Sequence, residues 1–260
     1  MSLQIPNTLF IGKVVIHLPL IKSTNKYAIN LLAKSKPSNG TVVFTNNQTE
    51  GRGQFGTSWE SQAGQNMTLS IIVYPSFLTV NQQFNLNLCV ALGIIDFLKS
   101  DRNLTGLRIK WPNDIYHGNK KLGGILIQNT INSASIKSSV IGIGLNVNQT
   151  TFSDKLPNPV SLATLGGSRY DVEQLVPGIL QAIEYRYLQL KANKTDLLLT
   201  DYLEGLYLKD IPSVFTRQNG ISFKGSIQTI NAIGQLVVLN HETNQLESFN
   251  LKEIKFPMYD

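Results

Sequence analysis

The pattern of apolar and polar positions predicts strands and helices that follow one another through most of the chain. Short apolar runs predict strands over residues 10–17, 41–45, 67–75 and 138–148. Apolar residues at helical spacing predict helices over residues 23–36, 84–100, 175–190 and 198–206. Ser23 and Thr24 are good N-cap residues for the first helix. This order predicts an α/β (α+β) domain, in which a central mixed sheet is flanked by helices.

The segment "LRIKWPNDIYHGNKKLGGILIQNTI" (107–131) predicts a strand, a hairpin and a second strand. Pro112 has no backbone N–H, so the first strand must stop there, and Asn113 and Asp114 follow directly after its end. Because a hairpin returns its second strand beside its first, we expect Lys121 to lie near Lys110 and Asp114. The alternative is a plain surface hairpin, in which the lysine has no function.

From residue 211 the pattern changes to short strands with turns between them, such as "RQNG", "NAIG" and "NHETN". Close-spaced short strands of this kind predict a small β-barrel. The sequence therefore predicts two domains, residues 1–210 and 211–260.

Composition indicates whether the chain is globular, and net charge indicates which kind of ligand or partner it favours. Hydrophobic residues make up 42% and charged residues 15% of the chain, as in a globular rather than a disordered protein. The formal net charge of +6 favours an acidic ligand or partner. Nucleic acid remains a rival partner, although the lysines are scattered and form no dense basic tract.

The single cysteine, Cys89, excludes an intramolecular disulfide and favours a reducing compartment. It adjoins the apolar stripe of its helix, so we expect it to pack in the core. His17, His117 and His241 are not at metal-ligand spacing. The chain also lacks the features of a signal peptide and any apolar run of membrane-spanning length. These observations predict a cytoplasmic protein with no membrane partner and no resident metal site.

Three polar clusters fall at the ends of predicted strands, where ligand sites of open sheets are favoured. They are Ser23-Thr24-Asn25, the loop "TEGRGQFGTSW" (49–59) and "KWPND" (110–114). Each alone is a weak signal. The first has a simple structural explanation as a helix cap, and the second as a surface turn that carries Arg52, whereas "KWPND" is harder to explain by structure alone. The other interpretation of the loop is that its glycines let the backbone close around an anion, which the arginine neutralises.

The order of these clusters resembles the biotin protein ligases. The motifs are "STN" at residue 23, Gln48 before Gly51-Arg52-Gly53, then "KWPND", "KLGGIL" and "GIGLNVN", and they cover residues 23–148. The resemblance implies a class II synthetase-like catalytic domain followed by an SH3-like C-terminal barrel. It also implies that biotin and ATP form biotinyl-5′-AMP, with Mg²⁺, and that biotin then passes to a lysine of a biotin carboxyl carrier domain of acetyl-CoA carboxylase or a related carboxylase.

The same resemblance assigns roles to individual residues. It implies catalytic roles for Arg52, Lys121 and Asp114. The implied biotin-binding residues are Ser23, Thr24, Asn25, Gln48, Gly51, Arg52, Lys121, Gly123 and Gly124. The implied ATP-binding residues are Arg52, Gly53, Gln54, Trp59, Asn113, Lys121 and Asn146. For Trp111 we expect packing beneath the site.

Several features depart from the family or leave choices open. Many relatives carry further basic residues after the "GRG" motif, where this chain has Gln54, Phe55 and Thr57, and Glu50 adds an unexplained negative charge. Because "STN" begins at residue 23, we expect no helix-turn-helix domain before it and no DNA partner. A homodimer is left open. The alternative enzyme is a lipoate or octanoate ligase or transferase, and a third class is a non-catalytic carrier- or nucleic-acid-binding module, against which Arg52 and Lys121 argue.

Overall fold

The computed structural model describes residues 6–102 and 104–257. A seven-stranded sheet forms the centre of the fold. Its strands are β1 (Val15–Leu18), β2 (Thr41–Thr45), β5 (Met67–Val73), β6 (Leu107–Lys110), β7 (Asp114–His117), β8 (Lys120–Asn132) and β9 (Ser135–Leu145). Between the second and third of these, β3 (Gly51–Arg52) and β4 (Ser58–Trp59) form a separate two-stranded hairpin.

The strand order of the central sheet is β1-β2-β5-β9-β8-β7-β6. β1 and β2 are parallel, whereas the other neighbours are antiparallel, so the predicted mixed sheet is confirmed. Every residue of β2 and β5 is buried, because helices cover both faces of the sheet there.

Five α-helices surround the sheet in the described part of the chain. They are α1 (Thr24–Lys34), α2 (Asn85–Arg102), α3 (Leu162–Gly166), α4 (Val172–Lys191) and α5 (Thr195–Glu204). α1 packs on one face, where Ala28 meets Val43, Ile72 and Val140 in a small apolar cluster. The other helices contribute to the large core. The short α3 is the one helix that the sequence pattern did not predict.

Cys89 lies fully buried in α2, which confirms its packing role. Burial raises the pKa of its thiol well above the ordinary value, so the side chain stays protonated and behaves as an apolar group.

The first predicted strand is only partly correct, because β1 begins at Val15 rather than at Phe10. The carboxylate of Glu184 in α4 accepts the backbone N–H groups of Leu9, Phe10 and Ile11, at 2.5, 2.8 and 2.8 Å. These donors are therefore not available to a sheet. The partner lies more than 170 positions away, so a local pattern gives no sign of it.

The C-terminal strands form a second, antiparallel sheet. They are β10 (Ser213–Arg217), β11 (Ser222–Ile230), β12 (Leu236–Asn240), β13 (Gln245–Phe249) and β14 (Ile254–Lys255). Their order is β13-β12-β11-β10-β14, which confirms that the C-terminal strands form an antiparallel sheet. β13 and β14 are outermost among the described pairings, so closure into the predicted barrel stays a prediction. The domain boundary at residue 210 stays a prediction.

The C-terminal module lies against the turn between β6 and β7. The indole N–H of Trp111 donates to the carbonyl of Gly234 at 2.9 Å. The side chain of Trp111 is buried, so its expected packing role is supported.

Over residues 6–102 and 104–257, no helix combines the length and the apolar character that crossing a bilayer requires.

Candidate active site

A cavity of about 440 Å³ lies where the start of α1, the β3–β4 hairpin, the central strands and residues 251–256 meet. Its volume falls in the range of small-molecule sites. Arg52 and Lys121, which are distant in sequence, both line it. So do most of the other residues that the sequence assigned to a site.

One part of the wall is neutral and polar. Ser23 is the N-cap of α1 and accepts the N–H of Lys26, so its predicted capping role and its place in the cavity coexist. The side-chain oxygen of Gln48 accepts the backbone N–H of Thr24 at 2.9 Å. The hydroxyl of Ser70 lies 2.8 Å from the hydroxyl of Thr24. Ser23, Thr24 and Gln48 therefore present fixed hydrogen-bonding atoms to the cavity, while the completely buried Ser70 holds Thr24 from behind the wall.

Ser70 was missed by the sequence analysis. Its only signal is that a hydroxyl residue interrupts the apolar run "MTLSIIV" of β5, and it is completely buried. Only the packing of α1 on the sheet shows why it is there.

Asn25 lines the cavity, but its amide is already engaged within the protein. Its nitrogen donates to the carbonyl of Leu126 at 3.2 Å and to the side chain of Gln128 at 3.0 Å. Its oxygen lies 2.6 Å from the hydroxyl of Ser70. A Cβ on Gly142 would collide with this amide. This arrangement makes Asn25 a residue that positions the polar wall.

The glycine loop is a short hairpin. Gly51 pairs with Trp59 and Arg52 with Ser58, and the N–H of Gly53 donates to the carbonyl of Thr57 at 2.7 Å. Arg52 is exposed and lines the cavity.

The structure accounts for the negative charge of Glu50. Its carboxylate forms an exposed ion pair with Lys22 at 2.8 Å, and Glu50 is not part of the cavity wall. The hydrogen bond from Lys22 holds the pKa of Glu50 below its usual range. Its charge is therefore paired beside the cavity, at the base of the hairpin.

Both the side chain and the backbone of Lys121 are held by partners within the protein. Its ammonium lies 2.7 Å from a carboxylate oxygen of Asp114, as the hairpin spacing predicted. Its backbone N–H donates to Asn158 at 2.7 Å, and its carbonyl accepts the N–H of Val160 at 2.9 Å. The ammonium position is therefore fixed by the fold.

Lys110 is a further cation of the cavity, beside Arg52 and Lys121, and it was not among the predicted site residues. It lines the cavity, donates to the hydroxyl of Tyr116 at 3.1 Å and lies 5.2 Å from the ring centroid of Phe256. Burial lowers its pKa, while Asp114 opposes that shift and Lys121 adds to it. The signal in the sequence was its place in "KWPND", directly before the strand end.

Trp59 lies over the glycine surfaces of β8 and β9. A Cβ on Gly144 would collide with the indole ring, and Gly124 is also close to it. The indole N–H is buried without a hydrogen-bond acceptor among the described residues. A buried unpaired donor in a cavity wall fits a ligand acceptor.

Three predicted site residues, Gly51, Gly123 and Asn146, do not line this cavity. The amide nitrogen of Asn146 donates to the carbonyls of Val160 at 3.0 Å and Lys121 at 3.4 Å. Asn113 does line it, although its amide donates to the carbonyl of Ile125. In this structure Asn146 supports the backbone of Lys121, and its predicted contact with the nucleotide stays a prediction.

The wall is strongly cationic among the residues that the structure describes. Its only carboxylate is Asp114, against five cations: Arg52, Lys110, Lys121, Lys252 and Lys255. Such an excess of positive charge attracts a multiply charged anion.

Comparison with known proteins agrees with this geometry. Residues 17–146 match the biotin/lipoate A/B protein ligase family, and the chain belongs to that family. A bifunctional ligase/repressor BirA from Bacillus spizizenii is 34% identical over 68% of this chain and 54% of its own length. The chain thus spans about half the length of that relative.

A biotin–[acetyl-CoA-carboxylase] ligase from Mycobacterium tuberculosis is 30% identical over 69% of this chain and 66% of its own length. The fold is shared with a biotin protein ligase from Aquifex aeolicus, solved in complex with biotin and ATP. That similarity has a TM-score of 0.79 at 21% identity and covers 95% of this chain and all of the other.

Proposed function

We propose that this protein is a biotin protein ligase, which activates biotin with ATP and transfers it to a lysine of a biotin carboxyl carrier domain. One observation carries the proposal: a single cavity combines a fixed, neutral polar wall with five cations. The first suits the uncharged polar head of biotin, and the second suits a triphosphate. The names of the BirA and Mycobacterium tuberculosis relatives support this assignment.

The first step brings two anions together, so it depends on positive charge. A biotin carboxylate oxygen attacks the α-phosphorus of ATP, biotinyl-5′-AMP forms and pyrophosphate leaves. Fixed cations stabilise the charge that gathers on the phosphate oxygens. We assign this role to Arg52 and Lys121, with Asp114 holding the ammonium of Lys121 in place.

The polar wall favours biotin over lipoate or octanoate. Ser23, Thr24 and Gln48 are buried polar residues of the cavity wall. An acyl chain without polar groups would leave such atoms without ligand partners, whereas the ureido ring of biotin can both donate and accept hydrogen bonds. Lipoate or octanoate ligation remains the alternative within the same family.

In the second step the amine of the carrier lysine attacks the carbonyl carbon of the adenylate, and AMP leaves. The adenylate is a mixed anhydride that water hydrolyses, so the site must limit access of water. Gln54 and Phe55 at the hairpin tip form part of the cavity wall. We assign them the role of limiting the access of water to the adenylate. Acetyl-CoA carboxylase is the proposed source of the carrier, since the Mycobacterium tuberculosis relative is named for it.

We propose that Mg²⁺ enters this site bound to the triphosphate of ATP. The described residues contain no group of three or more side chains that could hold a metal ion, and Asp114 is the one carboxylate in the wall. Mg²⁺ takes most of its ligands from phosphates and water in such sites. When bound, it covers the negative charge of the departing pyrophosphate.

The remaining predictions follow from this proposal. We propose that the positive charge of the chain serves the phosphate site rather than DNA, since five cations line one cavity. A reaction that consumes ATP is consistent with the predicted cytoplasmic location. The SH3-like assignment of residues 211–260 and a homodimer stay predictions.

One assay tests the proposal against both alternatives. The protein is incubated with MgATP, an apo carrier domain and either biotin or lipoate. The mass of the carrier domain is then measured by mass spectrometry. We expect the mass of a biotinyl group on one lysine, together with pyrophosphate exchange that depends on biotin. A lipoyl adduct would instead support the alternative enzyme, and no adduct with either acid would support a binding module. A carrier whose target lysine is replaced by arginine is the matched control.

A further inference from the structure

The tip of the β3–β4 hairpin carries no charge, although it forms part of a cationic wall. Its residues Gln54, Phe55 and Gly56 are neutral, and Arg52 is the only cation of the hairpin. Two of the five cavity cations, Lys252 and Lys255, come instead from the chain after β13. The C-terminal module therefore supplies positive charge where the hairpin has none.

The segment that carries these lysines is firmly attached to its own module. The backbone N–H of Asn250 donates to the carboxylate of Glu253 at 2.6 Å, and the backbone N–H of Glu253 donates to the carbonyl of Asn250 at 3.1 Å. The carbonyl of Glu253 accepts the N–H of Gln218 at 3.0 Å. β14 then pairs with β10. The backbone beside the cavity is thus fixed by hydrogen bonds.

Lys252 keeps an unneutralised charge. The neighbouring carboxylate of Glu253 is occupied by Asn250, through both the backbone and the side chain. Among the described residues, Lys252 has no carboxylate within ion-pair distance. Its φ of 73° is in the left-handed region, where residues with a side chain are uncommon.

Phe55 provides the contact between hairpin and module. It also has a left-handed backbone, with φ at 51°, and its side chain is 63% exposed. The ammonium of Lys252 lies 4.4 Å from the centroid of its ring. The face of an aromatic ring attracts a cation, which is enough to bias the position of a flexible side chain.

We propose that Lys252 is a phosphate-binding residue of this site and that Phe55 is the positioning residue which holds its ammonium at the cavity. The ligand class is the triphosphate of a nucleotide, so this inference rests on the proposed function. It adds a specific coupling: the hairpin tip and the C-terminal module close over the phosphates through one aromatic–cation contact.

The test compares Lys252→Met, Lys252→Arg and Phe55→Ala with the wild type in the full chain. Biotin-dependent pyrophosphate exchange is measured at varied ATP, and biotin affinity is measured separately. Loss of a charge-assisted contact to phosphate predicts a rise of about tenfold in the KM for ATP for Lys252→Met, with biotin affinity unchanged. Lys252→Arg should stay close to the wild type, and Phe55→Ala should show a smaller rise.

Two double variants test the link between the residues. If Phe55 acts through Lys252, Phe55→Ala should add nothing to the effect of Lys252→Met. Phe55→Arg combined with Lys252→Met should lower the KM again, because it restores a cation at the hairpin tip. Lys224→Met is the matched control, since Lys224 is an exposed lysine of the same module outside the cavity.

An unchanged KM for ATP in Lys252→Met would overturn the proposal, and so would independent, multiplying effects of Phe55→Ala and Lys252→Met. Neither result would affect the proposed ligase activity as long as the wild type catalyses exchange. If the wild type exchanges with lipoate instead of biotin, the test is run with lipoate. If it exchanges with neither acid, the proposed function and this inference both fail.

Discussion

Arg52 and Lys121 line the same cavity but are held in different ways. Lys121 is anchored by Asp114 and by two backbone hydrogen bonds. Arg52 is exposed and has no carboxylate within ion-pair distance among the described residues. A fixed cation suits a group that must meet the reacting phosphate at a defined position, whereas a free guanidinium can follow the ligand.

This difference leads to a prediction for Lys121→Ala and Arg52→Ala. Removing the fixed ammonium should lower the rate of adenylate formation by about a hundredfold or more, with a much smaller effect on biotin affinity. Arg52→Ala should reduce both the rate and the retention of the adenylate.

Single-turnover adenylation and biotin titration separate these effects. Arg108→Ala is the control, because Arg108 is an exposed arginine of β6 outside the cavity. A Lys121→Ala variant that turns over normally and only binds biotin more weakly would contradict the assignment.

The half-buried Lys110 predicts a dependence on pH. Burial lowers its pKa, so as pH rises Lys110 loses its proton before an exposed lysine would, and the cavity loses one positive charge. The value of kcat/KM for ATP should therefore fall on the alkaline side. In Lys110→Arg, which keeps its charge, the fall should move to higher pH.

The measurement is kcat/KM against pH, which reports ionisation in the free enzyme. Lys224→Arg, the same exchange outside the cavity, should leave the profile unchanged. An alkaline limb that is identical in Lys110→Arg and the wild type would show that another group is responsible.

At the scale of elements, the polar wall depends on how closely α1 packs on β9. Asn25 of α1 fills the space above Gly142, where a Cβ would collide with its amide. The amide in turn contacts Ser70, which contacts Thr24. A glycine in the strand thus sets the position of residues on the facing helix.

We predict that Gly142→Ala weakens biotin binding and lowers stability, because Asn25 must move and the polar wall moves with it. Overpacking of a well-packed interior typically costs about 1–3 kcal/mol. Urea denaturation and biotin titration measure the two effects. Gly205→Ala is the control, since a Cβ there would meet neighbours only at ordinary distances, from 3.7 Å. Unchanged biotin affinity in Gly142→Ala would count against this account of the wall.

Glu184 joins α4 to the start of the chain and leads to a prediction about stability alone. Its buried carboxylate accepts three backbone N–H groups, and an amide in its place has one oxygen and an extra donor. Glu184→Gln should lower the free energy of unfolding by about 1–3 kcal/mol, the penalty for leaving buried donors without an acceptor. Urea denaturation checks this, with the exposed Glu204→Gln as control. A difference below about 0.5 kcal/mol would mean that the donors find other partners.

At the scale of the whole molecule, residues of the central sheet, the β3–β4 hairpin and the C-terminal module together form the wall of the cavity. The central sheet supplies Lys110 and Lys121, the hairpin supplies Arg52, and the C-terminal module supplies Lys252 and Lys255. Positive charge from three parts of the chain meets at one point, which explains why no dense basic tract is visible in the sequence.

This arrangement predicts that salt affects ATP and biotin differently. The Debye length is about 10 Å at 0.1 M and shortens as salt is added, so salt weakens the attraction between the partly exposed cations and the triphosphate. The KM for ATP should therefore rise several-fold between low and high ionic strength. The affinity for biotin should change little, because its polar wall is neutral. The contrast is measured by pyrophosphate exchange and biotin titration across one salt series. Binding of duplex DNA at physiological salt would instead indicate that the charge also serves a nucleic acid.

Local features of the sequence were sufficient for much of the fold. β2 has the predicted bounds because a continuous apolar run in a buried strand gives a strong signal. The contact between Lys121 and Asp114 followed from the spacing of a hairpin, since only a few residues separate the two strands. Lys110 and the 251–256 segment were missed as cavity residues, and Ser70 was missed as the buried residue that holds Thr24, because each depends on contacts with distant parts of the chain.

The sequence by itself determined most of the helices and strands, the motifs with their cations and glycines, and the all-β character of the C-terminal part, because these depend on residues close together along the chain. Tertiary structure alone decided which polar groups face one another and where the uncompensated charges gather. It paired Glu50 with Lys22 beside the cavity and brought Lys252 to the tip of the hairpin. Such contacts form only when separate elements pack, and no local pattern encodes the distance between them.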